Sequence, residues 1–175
     1  AVVGRGVIGL MAVELAKVMG ATKVIGISRS QINRERALQF GADVAVESTD
    51  HLAQDIMEIT NGVGVGTTID MSGAASIVEE EFKMTRKGGK VVMAGCPQAP
   101  VTIQDMNMNF VMRELKLYGM HGRRMYEGWT PLFNLLEAGM VDLKKYITAE
   151  MPLKDFEKAV EMASSSEHLK VLLTP

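Results

Sequence analysis

Apolar positions along the chain switch repeatedly between a helical period and short continuous runs. Ile8, Met11, Leu15 and Val18 keep the 3-4-3 spacing of one helical face, and Gly20 is placed to stop that helix. "KVIGIS" then reads as a buried strand, and a charged helix through "NRERALQF" ends at Gly41. "DVAVE" is a short strand, and "STDHLAQDIMEIT" a helix opened by a Ser/Thr cap. "TTIDMS" is the next strand and "SIVEEEFKMTR" the next helix. A Gly88-Gly89 turn leads into the strand "KVVMAG", and "LKLYGM" is one more strand. Strand and helix therefore alternate, which predicts an α/β protein with a doubly wound parallel sheet over residues 1–122. From Trp129 the pattern changes. "TPLFNLLEAG" and "KDFEKAVEMA" are helical, with Leu153, Phe156, Val160 and Ala163 on one face, and "KVLLT" closes the chain as a strand. Residues 123–175 thus form a C-terminal helix-strand tail.

The first helix follows "VVGRGVIG", a Gly-x-Gly-x-x-Gly loop in which Gly4, Gly6 and Gly9 frame Arg5, Val7 and Ile8. Gly4 permits a tight turn out of the strand, and Gly6 lets the backbone approach a pyrophosphate. Gly9 removes a side chain where helix and strand cross. The helix that begins near Val7 directs unsatisfied N–H groups and its positive dipole end toward an anion. Strand, loop, amphipathic helix and second strand come in the order of a Rossmann dinucleotide site. A second cluster, "NGVGVG" at 61–66, precedes its strand and so lies at the wrong end of the sheet for that role.

Cofactor choice is written at the end of the second strand. An acidic residue there accepts hydrogen bonds from a ribose 2′-hydroxyl and repels a 2′-phosphate. This chain has Ser28 and Arg29 instead, with Arg34 a few residues on. The serine removes the charge, and the two arginines are able to pair with phosphate. Alternatively they decorate an exposed helix. The favoured cofactor is NADP, with NAD the other possibility.

Composition narrows the partners. The 175 residues are 47% apolar and 23% charged with a net charge of -2, which gives no electrostatic case for nucleic acid or an anionic membrane. Aromatic residues make up 5%, too few for a base-stacking surface. Glu14 and Lys17 interrupt the longest apolar run, so it falls short of a membrane span. Cys96 is the sole cysteine, which excludes an internal disulfide and fits a reducing, cytoplasmic setting. His51, His121 and His168 lack metal-ligand spacing. Glu79, Glu80 and Glu81 read as a solvated helix face, and the methionines as core filler. The alanine at position 1 falls inside an apparent strand, which reads as a fragment or a processed chain.

With the glycine loop, "TTIDMSGAASIVEEEFKMTRKGGKVVMAG" and "LKLYGMHGRRMYEGW", the chain resembles the zinc-type medium-chain alcohol dehydrogenases, in their threonine and polyol dehydrogenase branch. The resemblance covers essentially the whole chain. It implies that the loop at Met71 and Ser72 lies along the cofactor. It further implies that Ala94, Gly95 and Cys96, with the backbone of Met120, His121 and Gly122, meet the nicotinamide, and that Lys170 reaches the pyrophosphate.

Family members are about twice this length, and their other half carries the catalytic zinc and most of the substrate domain. The expectation is therefore an NADP(H)-binding region, with no catalytic or metal-ligating residue of its own. The parent oxidoreductase would move hydride between a small secondary alcohol and the nicotinamide, with zinc polarising the oxygen. One departure counts against threonine as the substrate: threonine dehydrogenases usually place an acid where Ser28 stands. The rival from another class is a non-catalytic dinucleotide-sensing module. The tail has lost the domain it packs against in the family, so a homo-oligomer is expected, with the tail and "LKLYGM" near the contact.

Overall fold

A computed structural model describes residues 1–4, 6–122, 126–165 and 167–175. The chain divides into two compact units, Ala1–Gly122 and Arg123–Pro175.

The first unit is built on one parallel sheet in the order β3-β2-β1-β4-β5-β6. Its strands are β1 (Val2–Val3), β2 (Ile25–Ile27), β3 (Val44–Val46), β4 (Val65–Asp70), β5 (Thr85–Met93) and β6 (Lys116–Gly119). Helices α1 (Val7–Val18), α2 (Gln31–Gln39), α3 (Leu52–Ile59) and α4 (Val78–Met84) connect the first five. This is the doubly wound order, and the direction of winding reverses between β1 and β4. Ligands of such sheets bind at the carboxyl ends of the strands flanking that reversal. Val2 and Val3 pair with Gly26 and Ile27 on one side and with Ile69 and Asp70 on the other. Both strand ends beside the reversal are thereby fixed in register.

Val3, Ile25 and Ile27 meet Leu52, Ala53 and Ile56 of α3 in one core cluster, while Val78, Phe82, Val91 and Leu115 form another. On the opposite face α2 sits so close that a Cβ on Gly26 would stand 2.6 Å from that of Ala37. Continuous β-branched runs suit strands buried on both faces.

The structure departs from the sequence pattern at several points. The buried side of α1 carries Gly9, Leu10, Val13 and Glu14, and Ile8 is 64% exposed. Two apolar stripes run along this helix, and packing selects the one that contains the small Gly9. Helix α3 begins at Leu52 without a side-chain cap, because the Thr49 hydroxyl accepts a hydrogen bond from the His51 N–H in a preceding turn. The turn at Gly88 (φ +72°) lies inside β5: Val65 pairs with Thr85 and Thr67 with Lys90, so extra residues bulge from the strand. Methionine is mostly not core filler. Met84 is fully buried, but Met19, Met106, Met108, Met112, Met120 and Met140 are exposed.

The glutamates of α4 are not one solvated face either. Glu79 and Glu80 are half-buried and pair with Lys83 at 3.2 and 3.1 Å, and Glu80 also accepts from the Ala53 N–H. Glu81 is completely buried.

In the second unit, α5 (Trp129–Glu137) precedes β7 (Ile147–Pro152), α6 (Phe156–Ser164) and β8 (Lys170–Thr174). Strands β7 and β8 pair in parallel around α6, a strand-helix-strand unit in which β7 was not anticipated. Among the described residues of this unit, Val141, Tyr146 and Ala159 are buried, while Leu153, Phe156 and Val160 are exposed. Among the described residues, no helix is long and apolar enough to cross a membrane.

Candidate functional site

A crevice of about 160 Å³ opens at the carboxyl ends of β1, β2 and β4, lined by Gly4, Ser28, Arg29, Ser30, Ser48 and Ser72 among others. Gly4 is held by its N–H to the Ile27 carbonyl, and a Cβ there would meet that of Met71 at 3.0 Å. A Cβ on Gly6 would meet nothing within 4 Å, so the loop faces open space. Gly6 also caps α1 without a side-chain bond, and the first intrahelical bond runs from the Leu10 N–H to the Gly6 carbonyl. The N–H groups of Val7, Ile8 and Gly9 therefore lack intrahelical acceptors, as an anion site at a helix start requires. Gly9 is less constrained than its spacing implies, because a Cβ there would make ordinary contact at 3.5 Å. Arg5 lies outside the described residues.

Beside this loop, Ser28 is nearly buried and its hydroxyl accepts from the Ser30 N–H at 3.3 Å. Arg29 is exposed on the same turn. Arg34 has a different setting. Its Nη1 donates to the carbonyls of Ser28 (3.0 Å) and Arg29 (2.9 Å), and its Nη2 stands 3.7 Å from Glu47. Arg34 thus braces the turn from behind instead of standing open beside Arg29.

Asp70, at the end of β4, organises the far wall. One oxygen of its carboxylate accepts from the Ser72 N–H (2.6 Å), the Ser72 hydroxyl (2.7 Å) and the Gly73 N–H (3.3 Å). Its backbone carbonyl accepts from the N–H groups of Ala94 (2.9 Å) and Gly95 (2.8 Å). The loops at Met71–Ser72 and at Ala94–Cys96 consequently touch. A Cβ on Gly73 would lie 2.6 Å from the Cys96 carbonyl oxygen, and one on Gly95 would lie 2.2 Å from the Gly73 nitrogen. Met120 is tied to the same strand ends through its N–H to the Met93 carbonyl, and His121 and Gly122 follow it, exposed. Cys96 is exposed as well. The structure brings all these positions to one end of the sheet. Lys170 is exposed at the start of β8 in the second unit.

Beneath the loops lies a polar group that sequence reading passed over. Thr68 and Thr85 share a hydroxyl hydrogen bond of 2.6 Å, and Thr85 donates onward to the Glu81 carbonyl. Both carboxylate oxygens of Glu81 are buried without a hydrogen-bond partner, as is the second oxygen of Asp70. Burial, aided by the Asp70 charge, pushes the Glu81 carboxyl up to about 9, so it is neutral at ordinary pH. Asp70 itself had a signal: an aspartate two residues before the serine of "DMS" forms a local side-chain turn. Ser48 and Glu81 had none.

Among the described residues, no group of three His, Cys, Asp or Glu side chains is arranged to hold a metal ion.

The doubly wound order and the crevice at its switch point define a nucleotide-type α/β fold. Comparison makes that specific. Residues 7–138 match the zinc-binding dehydrogenase family, and the chain belongs to it. The L-threonine 3-dehydrogenase of Bacillus licheniformis is 38% identical across the whole chain, and that of Bacillus subtilis 37%. An alcohol dehydrogenase structure from Thermotoga maritima superposes with a TM-score of 0.86 at 29% identity, over 99% of this chain and 48% of that one. The chain spans about half the length of the curated relatives it matches, 51% and 50% for the two Bacillus proteins.

Proposed function

We propose that this chain is the NADP(H)-binding region of an alcohol or polyol oxidoreductase that exchanges hydride between a secondary alcohol and the nicotinamide. The observation that carries this reading is the turn after β2. Ser28 stands there with no acidic side chain, and Arg29 is exposed where the crevice opens. A dinucleotide would lay its pyrophosphate against Gly4–Gly9 and its 2′-phosphate against Ser28 and Arg29. The nicotinamide end would extend along Met71–Ser72 toward Ala94–Cys96 and Met120–Gly122. Bound there, the nicotinamide supplies the hydride acceptor, and this chain holds and orients it. The substrate class follows the alcohol dehydrogenase relatives. The Ser28 departure shifts it from threonine toward an NADP-linked alcohol or polyol.

Losing a charge-assisted phosphate contact costs about 1.5–3 kcal/mol. Arg29→Ala is therefore expected to weaken NADPH about ten-fold or more and to leave NADH almost unchanged. Fluorescence titration of both cofactors checks this, and equal losses would remove the phosphate role.

We also propose self-association. Strand β6 is an edge of the sheet, and all of Lys116–Gly119 is exposed, Leu117 and Tyr118 included. Unpaired edges and apolar patches seek partners. Light scattering at micromolar concentration is expected to show a dimer or larger, with the tail and β6 in the contact. A clean monomer that resists proteolysis after Gly122 would contradict it.

A further inference from the structure

We propose that Glu47 sets the strength of cofactor discrimination by opposing the 2′-phosphate and occupying Arg34, an inference that rests on the NADP(H) reading above. Glu47 directly follows β3, and its neighbour Ser48 lines the crevice together with Ser28 and Arg29. Its side chain is 57% exposed, against 21% for that of Arg34. The guanidinium does not depend on Glu47 for its position, because Nη1 is pinned by the Ser28 and Arg29 carbonyls. The Nη2 to Glu47 separation of 3.7 Å is too long for a hydrogen bond, so the contact is ionic and weak.

Arg34 is thus a pre-positioned cation behind the Ser28-Arg29 turn, with one nitrogen committed to the backbone and another facing an exchangeable carboxylate. A phosphate dianion entering beside Ser28 and Arg29 gives that nitrogen a doubly charged acceptor of better geometry. To reach it, the dianion must approach the Glu47 charge and compete with it. A ribose 2′-hydroxyl feels neither effect. Glu47 therefore holds NADP(H) affinity below what the two arginines could deliver, and is indifferent to NAD(H).

Arg34 and Arg29 accordingly act by different routes. Removing Arg29 removes a phosphate contact only. Removing Arg34 also releases the carbonyls that shape the turn, so it disturbs both cofactors.

The test is titration of the full chain and its Glu47→Gln variant with NADPH, NADH and adenosine 2′-monophosphate at low and high salt. At low salt the variant is expected to bind NADPH and the 2′-monophosphate about three- to ten-fold more tightly, with NADH unchanged. The gain should shrink toward nothing in about 0.5 M salt. Adding Arg34→Ala to Glu47→Gln should abolish it. Glu47 is exposed, so its replacement leaves the fold intact. Unchanged or weaker NADPH binding in Glu47→Gln would overturn the inference, as would an equal gain for NADH. The NADP(H) reading is judged separately, by the NADPH-to-NADH ratio of the unaltered protein.

Discussion

Exchanging Glu81 for glutamine is expected to stabilise the protein far more near pH 8 than near pH 5, the two gains differing by about 3–4 kcal/mol. Glu81 is fully buried, and neither carboxylate oxygen has a hydrogen-bond partner to lose. Desolvation first, and the Asp70 charge second, raise its pKa from 4.5 to about 9. In the unfolded chain the same carboxyl ionises near its ordinary value. Between those two values the folded state therefore holds a proton that the unfolded state has released. Stability is full below the unfolded pKa and falls by about 1.4 kcal/mol per pH unit as pH rises toward the folded one. Glutamine does not titrate, so the variant should lose this slope. Its amide also brings donors to a site where one Asp70 oxygen lacks any. Urea denaturation curves at the two pH values decide the matter, and a gain independent of pH would show that Glu81 is not a buried neutral acid.

Gly95→Ala is expected to cost about 2–3 kcal/mol of stability and to abolish measurable NADPH binding. The added Cβ would fall 2.2 Å from the Gly73 nitrogen and 2.8 Å from its Cα, and both obstacles are backbone. No rotamer change relieves such a clash. The loops must part, and the Gly95 and Ala94 bonds to the Asp70 carbonyl part with them. Gly6→Ala is the instructive contrast. Nothing lies within 4 Å of its Cβ position and its backbone is extended (φ -106°, ψ 177°), so the fold should tolerate alanine there. If a pyrophosphate approaches Gly6, that variant keeps its stability and loses cofactor. Thermal unfolding and NADPH titration of the pair separate the two effects. A Gly95→Ala protein with unaltered melting and binding would mean that the loops are not in contact.

The strands and glycine loop of the first unit were legible because local chemistry dictates them. Continuous β-branched runs between glycine and polar breaks suit buried parallel strands, and the loop's spacing is set by its neighbours in sequence. What escaped depends on residues far apart along the chain. Glu79, Glu80 and Glu81 are chemically identical on paper, and only the seating of α4 against α3 and β5 separates a half-buried, paired carboxylate from a buried neutral one. Helix α1 has more than one apolar stripe, and the sheet chooses between them. The Gly73–Gly95 contact joins two strand ends that no local pattern connects. Arg34 is legible beside the turn, whereas its bonds to the Ser28 and Arg29 carbonyls and its contact with Glu47 arise only in three dimensions. Strand β7 escaped for a local reason: "ITAEMP" is short, half-polar and ends in proline.

The position of Asp70 has a consequence in time as well as in space. Two amide protons on one loop and two on the other are all held by this single residue, through its carboxylate and its carbonyl. Neither loop can swing away alone without straining the anchor of the other. Coupled opening of the two loops is the expected consequence: hydrogen exchange at the Gly73 and Gly95 amides should respond together when the Asp70 carboxylate is replaced.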